Sequence, residues 1–128
     1  MKFKELLDSL LKEEYTIDSL DDIVFYIKFL EGTVPHIHFR NKNRTIDGAI
    51  RLDVPEYFPH GGKYKSKLNK KQKNYFLNML DRQSFKYKDM TVWHQLCKDW
   101  NKNVRDGNKI NYIEDNLLKR RPLYENYL

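Results

Sequence analysis

Pro35-His36-Ile37-His38-Phe39-Arg40 is the stretch whose reading decides the fold of this 128-residue chain. In an extended strand successive side chains alternate between faces, so Ile37 and Phe39 take an apolar face while His36, His38 and Arg40 take a polar one. Pro35 has no amide hydrogen to donate to a ladder and suits the first residue of a strand. Residues 31–34, which include Gly32, then read as the connection from an earlier strand, and the pattern predicts a hairpin.

On the N-terminal side of the hexapeptide, residues 23–30 (IVFYIKFL) are β-branched and aromatic with no internal Gly or Pro, the mark of a strand buried over most of its length. On the other side, Asn41-Lys42-Asn43 reads as a polar turn into a strand over residues 44–53. There Ile46, Ile50 and Leu52 keep an even spacing, and Gly48 marks a bulge or a close approach. The expectation is three antiparallel strands in a meander. Residues 16–22 are polar and acidic, with Thr16, Asp18 and Ser19 suited to capping, and read as a connection or a short helical turn. Residues 2–14 set Phe3, Leu6, Leu7, Leu10 and Leu11 on one stripe, as an amphipathic helix does.

Beyond the sheet, residues 54–66 hold Pro55, Pro59, Gly61 and Gly62 with Tyr57, Phe58, His60 and Tyr64, and read as a long surface loop. Its aromatics suit either stacking on nucleic-acid bases or folding back over the core. Asn69 and Gln72 have the spacing of a capping box for a helix that carries Tyr75, Phe76, Met79 and Leu80 and ends near Gln83. Thr91 is placed to cap a second helix, with Val92, Trp93, Leu96 and Trp100 on one side; Cys97 belongs to its buried face and His94 to its surface or packed flank. The tail from Asn108 is periodic only in part and is broken by Pro122, so it reads as a short helix followed by an arm. The predicted class is α+β: a small antiparallel sheet of about three strands flanked by an N-terminal helix and two or three C-terminal helices. All of it forms one domain over 1–128, with a core over about 23–110 and a C-terminal helix and arm over 111–128.

Apolar residues make up 40% of the chain and aromatics 14%, enough to bury a core despite 33% charged residues. The single cysteine and the lack of a visible leader point to a reducing, cytoplasmic setting, and no apolar run approaches the roughly 20 residues of a membrane helix. The net charge of +6 is unevenly spread, with Lys63, Lys65, Lys67, Lys70, Lys71 and Lys73 crowded together and Lys119-Arg120-Arg121 forming a smaller cluster. Such a run suits the phosphates of a nucleic acid or an acidic protein partner, or serves only as a solvated face. His36 and His38 have three chemistries open to them. They could ligate a metal together with His60 and Asp47 or Asp53, contact a phosphate or carboxylate together with Arg40, or make structural hydrogen bonds. No Ser-His-Asp order, Gly-rich phosphate loop or paired-Cys motif is present, so no cofactor is implied; the sequence sets no oligomeric state.

The order of these elements resembles a family of small bacterial proteins of unknown function, whose members carry a strand beginning Pro-Pro-His-x-His and are commonly found beside toxin–antitoxin genes. The resemblance lies in the strand around Phe25-Tyr26-Ile27, Pro35-His36-x-His38-x-Arg40, the strand around residues 46–52, the helix from Asn69, and Trp100-Asn101 followed by Gly107-Asn108-Lys109-Ile110. It covers about residues 23–110. Val34 stands where the family has a further Pro, the loop after Pro55 is longer, and residues 85–89 are inserted. The family implies no catalytic mechanism. What it implies is a basic binding protein of a bacterial or mobile-element toxin–antitoxin or defence system. The candidate contacts to nucleic acid or an acidic partner are His36, His38, Arg40, His60, Lys63, Lys65, Lys67, Lys70, Lys71 and Lys73. The alternative is a metal-dependent, nuclease-like toxin that uses His36 and His38.

Overall fold

The computed structural model describes residues 14–29, 34–59, 62, 64–103 and 120–128. Four strands, β1 (Glu14–Leu20), β2 (Ile23–Lys28), β3 (His36–Arg40) and β4 (Asp47–Arg51), hydrogen-bond in chain order as one antiparallel meander. The hairpin read from the hexapeptide is present, with Phe25 opposite Phe39 and Ile37 opposite Ile50. One face of the sheet carries Ile23, Phe25, Ile27, Ile37, Phe39 and Ile50, all buried in a single core with residues of both helices. Two helices supply the cover, α1 (Lys70–Asp81) and α2 (Val92–Asn103). The class is therefore α+β as expected, with a larger sheet.

The fourth strand is a correction. Residues 16–22, expected as a polar connection, are mostly β1, and the helix expected over 2–14 lies outside the described residues except for Glu14, which begins this strand. Tyr15, Ile17 and Leu20 lean on the core, but the register with β2 shifts between Thr16 and Asp18. That irregularity breaks the period-2 pattern by which a strand is recognised. Asp18 reads as a cap, yet here it accepts a hydrogen bond from the Tyr75 hydroxyl at 2.8 Å and another from Arg82, tying β1 to α1 and the residue that ends it. A two-residue turn then closes the hairpin, with Asp21 in the left-handed region at φ 54, a conformation Asp tolerates better than most residues.

The last strand is shorter than the expected 44–53, because residues 41–46 close a turn of their own. The Asn41 N–H donates to Ile46 O at 3.1 Å, the Ile46 N–H donates to Asn41 Oδ1 at 2.9 Å, and Arg44 sits at φ 60. Gly48 is a close approach, as read: a Cβ there would lie 2.2 Å from Phe39 Cζ and 2.7 Å from Ser66 O.

Both helix starts follow the sequence signals. Asn69 Oδ1 accepts from the Gln72 N–H at 2.8 Å and Gln72 Oε1 accepts from the Asn69 N–H at 2.9 Å, a complete capping box. Thr91 Oγ1 accepts from the His94 N–H at 3.2 Å at the head of α2. Val92, Trp93, Leu96, Cys97 and Trp100 are buried, and Trp93 Nε1 donates to Leu52 O at 3.0 Å, fixing α2 to the end of β4. The end of the expected arm is docked on the protein's own core: Tyr124, in a short 3-10 turn, is fully buried and donates to Arg51 O at 2.5 Å. Arg121 anchors the same segment by reaching both oxygens of Asp81, at 2.7 and 3.0 Å. Among the described residues no helix is long and apolar enough to cross a membrane.

Candidate functional site

His36 and His38 leave β3 on the face away from the core, and both are completely buried. The 54–66 loop lies over them, so its aromatics fold back rather than stand in solvent. The Phe58 ring is 5.0 Å from the His36 ring and the Tyr64 ring 4.8 Å from that of His38, while Trp100 approaches His36 from α2 at 5.8 Å. The loop is strapped along the outer edge of β4 by Phe58 N–H to Ala49 O at 2.8 Å and Ser66 N–H to Asp47 O at 3.1 Å. Tyr64 adopts φ 56, rare for a bulky side chain and held here by its packing on His38.

Hydrogen bonding sets the tautomers of this pair. His36 Nδ1 is 2.6 Å from Val34 O, and a carbonyl only accepts, so Nδ1 carries the proton. A neutral ring in that tautomer offers Nε2 as an acceptor, to which His38 Nε2, 3.1 Å away, can donate. Two metal bonds of about 2.0–2.1 Å at a tetrahedral angle would set those nitrogens about 3.3 Å apart, so the spacing suits a cation as well as a shared proton. Among the described residues no three His, Cys, Asp or Glu gather at one point; His60 lies outside them, Asp53 is held by Arg51 at 2.8 Å and Asp47 by Arg44 at 3.4 Å.

Arg40 follows the histidines on the same face and emerges beyond the loop. It borders a cleft of about 380 Å³ whose walls are Glu14, Tyr15 and Thr16 of β1, Val24, Tyr26 and Lys28 of β2, and Arg44 of the turn after β3. The Tyr26 ring is stacked on His38 at 5.0 Å with 14° between planes, and Arg40 Cζ stands 5.4 Å from its centroid and Lys28 Nζ 5.9 Å. Burial raises the Tyr26 phenol above its ordinary range and the Asp47 carboxylate adds to this, outweighing the pull of Lys28, Arg44 and Arg40. The cleft therefore holds a neutral phenol among three cations. Among the described residues Arg40 has no carboxylate partner, and its Nε–H is buried without an acceptor. Arg44 is 52% exposed at its side chain and meets Asp47 only at 3.4 Å, a surface pair worth less than about 1 kcal/mol.

The lysine run begins where the strapped loop ends. Lys63 lies outside the described residues; Lys65, Lys67, Lys70 and Lys71 are exposed and Lys73 is half-buried. Ser66 pairs with Asp47, which faces Arg40 in the ladder, whereas Lys65 bridges Gly48 opposite Phe39 and Lys67 stands 5.8 Å from the Tyr57 ring, so these two lysines belong to the other face of the sheet edge. Lys70, Lys71 and Lys73 occupy the start of α1, whose first turn contains no acidic residue. The helix dipole disfavours cations there by a few tenths of a kcal/mol each. Of the run, among the described residues, Lys71 alone has a carboxylate partner, Asp21 at 3.2 Å, and both members are exposed.

A second polar cluster, with no signal in the sequence, lies on the helix side. Asp99 of α2, buried, accepts from Tyr15 at 2.6 Å, Tyr87 at 2.5 Å and Lys86 at 2.8 Å. Gln95 Nε2 donates to the Tyr15 hydroxyl at 3.2 Å while its Oε1 accepts from Ser84 at 2.6 Å, and Lys86, Lys98 and Lys102 ring the Tyr87 face at 5.4, 4.6 and 4.9 Å. Burial, then the bond to Asp99, pushes the Tyr15 phenol far up, so Tyr15 remains a donor. The network ties β1, the 82–91 connection and α2 together.

No family model, curated protein or solved structure matches the chain. Of the predicted site residues, the structure sets Arg40 at the cleft, buries His36 and His38 on the same strand face, leaves the described lysines outside the cleft, and adds Tyr26, Lys28 and Arg44 to Arg40. Tyr26 and Lys28 had a legible signal: in a strand they share a face with each other and not with Phe25 and Ile27. Arg44 had none, since its position follows from the closed 41–46 turn.

Proposed function

We propose that this is a nucleic-acid-binding protein which acts by binding rather than by covalent chemistry, in the bacterial or mobile-element toxin–antitoxin or defence setting that the Pro-His-x-His resemblance implies. One observation carries the reading. Arg40, Lys65, Lys67, Lys70 and Lys73 have no carboxylate partners among the described residues, and two of these lysines, Lys70 and Lys73, stand at a helix start where they cost stability. Cations kept at a place that disfavours them are explained by an external polyanion better than by solubility, which any exposed position would serve. The buried histidines support the strand that presents Arg40.

The test is binding of the purified protein to nucleic acid across a salt series. Affinity should fall steeply with salt, and replacing Lys70, Lys71 and Lys73 by Gln should flatten the log–log slope by about 2. Salt-insensitive binding would remove the electrostatic argument. Capture from native cells with and without nuclease separates the partners: a partner that survives nuclease and is an acidic protein overturns the nucleic-acid reading.

The Nε2 separation of 3.1 Å favours one second reading, a metal-dependent nuclease-like toxin built on His36 and His38. Under it, His38→Ala and a chelator should each abolish strand cleavage while the circular-dichroism spectrum is retained. Cleavage unchanged by either would dispose of it.

A further inference from the structure

The cleft beside Arg40 is not the same thing as the lysine run, and its geometry asks for a different contact. Exposed lysines meet phosphates of any polynucleotide, single or double. The cleft instead draws cations from three successive elements, Lys28 of β2, Arg40 of β3 and Arg44 of the turn, into one space of about 380 Å³ with Tyr26 between them. That volume lies within the range of small-ligand sites, and among the described residues the cations Lys28, Arg40 and Arg44 outnumber the nearby carboxylates of Glu14 and Asp47, a balance that favours an anion. Two of the cations are guanidiniums, whose fork matches the oxygens of a phosphate in a way an ammonium does not.

We infer that the Tyr26–Lys28–Arg40–Arg44 cleft takes one phosphorylated nucleotide of a single-stranded nucleic acid, with Arg40 and Arg44 holding its phosphate. This rests on the nucleic-acid reading above and deepens it. A duplex holds its phosphates on a stiff convex cylinder and offers them to a surface, whereas a flexible strand can lower one nucleotide into a recess. Arg40 is prepared for such a contact. Its guanidinium is steadied over the Tyr26 ring without a competing carboxylate among the described residues. Arg44 is held at the cleft by a turn that places it at φ 60, and its exposed contacts with Asp47 and the Tyr26 hydroxyl are ones a phosphate can exchange.

The experiment uses the full chain, a fluorescent 12-nucleotide RNA and a 12-base-pair duplex of the same sequence, with the variants Arg40→Gln, Arg44→Gln and the Lys70/Lys71/Lys73→Gln triple. The single strand should bind more tightly than the duplex, and Arg40→Gln and Arg44→Gln should each weaken the single strand about tenfold and the duplex little. The lysine triple should weaken both. Loss of both ligands with the lysine triple, but full single-strand affinity in Arg40→Gln and Arg44→Gln, would overturn the cleft and leave the broader reading standing. Equal binding of duplex and single strand with equal arginine dependence would overturn the single-strand assignment. Binding of neither RNA, nor of the matching DNA, would remove both. Arg44 is largely exposed, so its variant gives a result even if Arg40→Gln fails to fold.

Discussion

Around Asp99 and around Arg40 the protein puts charge beside tyrosine rings, and the two clusters differ in whether the charge is answered. Asp99 is buried, and two phenols and an ammonium converge on it within 2.8 Å. Arg40 is partly exposed at a cleft, its ring contact is to Tyr26, and no carboxylate among the described residues meets it. Buried charge is tolerated when every hydrogen bond is made, so the first cluster acts on stability. A cation left unneutralised at an open cleft adds little to stability and is available to a ligand. The comparison separates what holds this fold from what it presents.

The strongest way to break that contrast is Asp99→Ala, which strands the Tyr15 and Tyr87 hydroxyls and Lys86 together. Unfolding in urea should lose about 2–4 kcal/mol, while nucleic-acid affinity of the remaining folded protein holds. A variant as stable as the parent would show that the network is incidental. Tyr15→Phe removes one donor and leaves the others, so about 1–1.5 kcal/mol is expected, and the double variant with Asp99→Ala should be less than additive.

Acid sharpens the contrast further. Burial pushes the Asp18 carboxyl up, but bonds from Arg82, the Ser19 amide and Tyr75 outweigh it and hold the group below its ordinary value; Arg121 first, against a smaller opposing effect of burial, does the same for Glu125. A depressed carboxyl contributes stability that is present above its unfolded pKa and lost as pH falls through the folded one. The melting temperature should therefore be flat from pH 7 to about 5 and fall below about 4, and Asp18→Asn should flatten that fall. The smallest effect belongs to Arg40→Gln, which should change stability by no more than about 0.5 kcal/mol; a large loss would place Arg40 with Asp99 among the residues that hold the fold.

Some of this architecture is legible in the sequence. The alternation in 36–40 announced β3 and its two faces, the Asn69–Gln72 and Thr91 signals announced both helix starts, and Gly48 announced a close approach. β1 was not legible, because its irregular register interrupts the period and its Asp18 bonds to residues 57 and 64 positions away. By its neighbours in the chain Tyr124 belongs to an arm, since nothing near it says that Arg51 O waits for its hydroxyl.

The sequence by itself determined the α+β class, the polar and apolar faces of β3, the helix caps and the basic run, because each depends on residues within a few positions of one another. Only the tertiary structure decided that the polar face is split. The 54–66 loop, hydrogen-bonded along β4, covers His36 and His38 and stops short of Arg40. Whether a residue on a strand face is core or contact depends on what the chain lays over it, and that cover comes from 20 or more residues away, where no local period reaches.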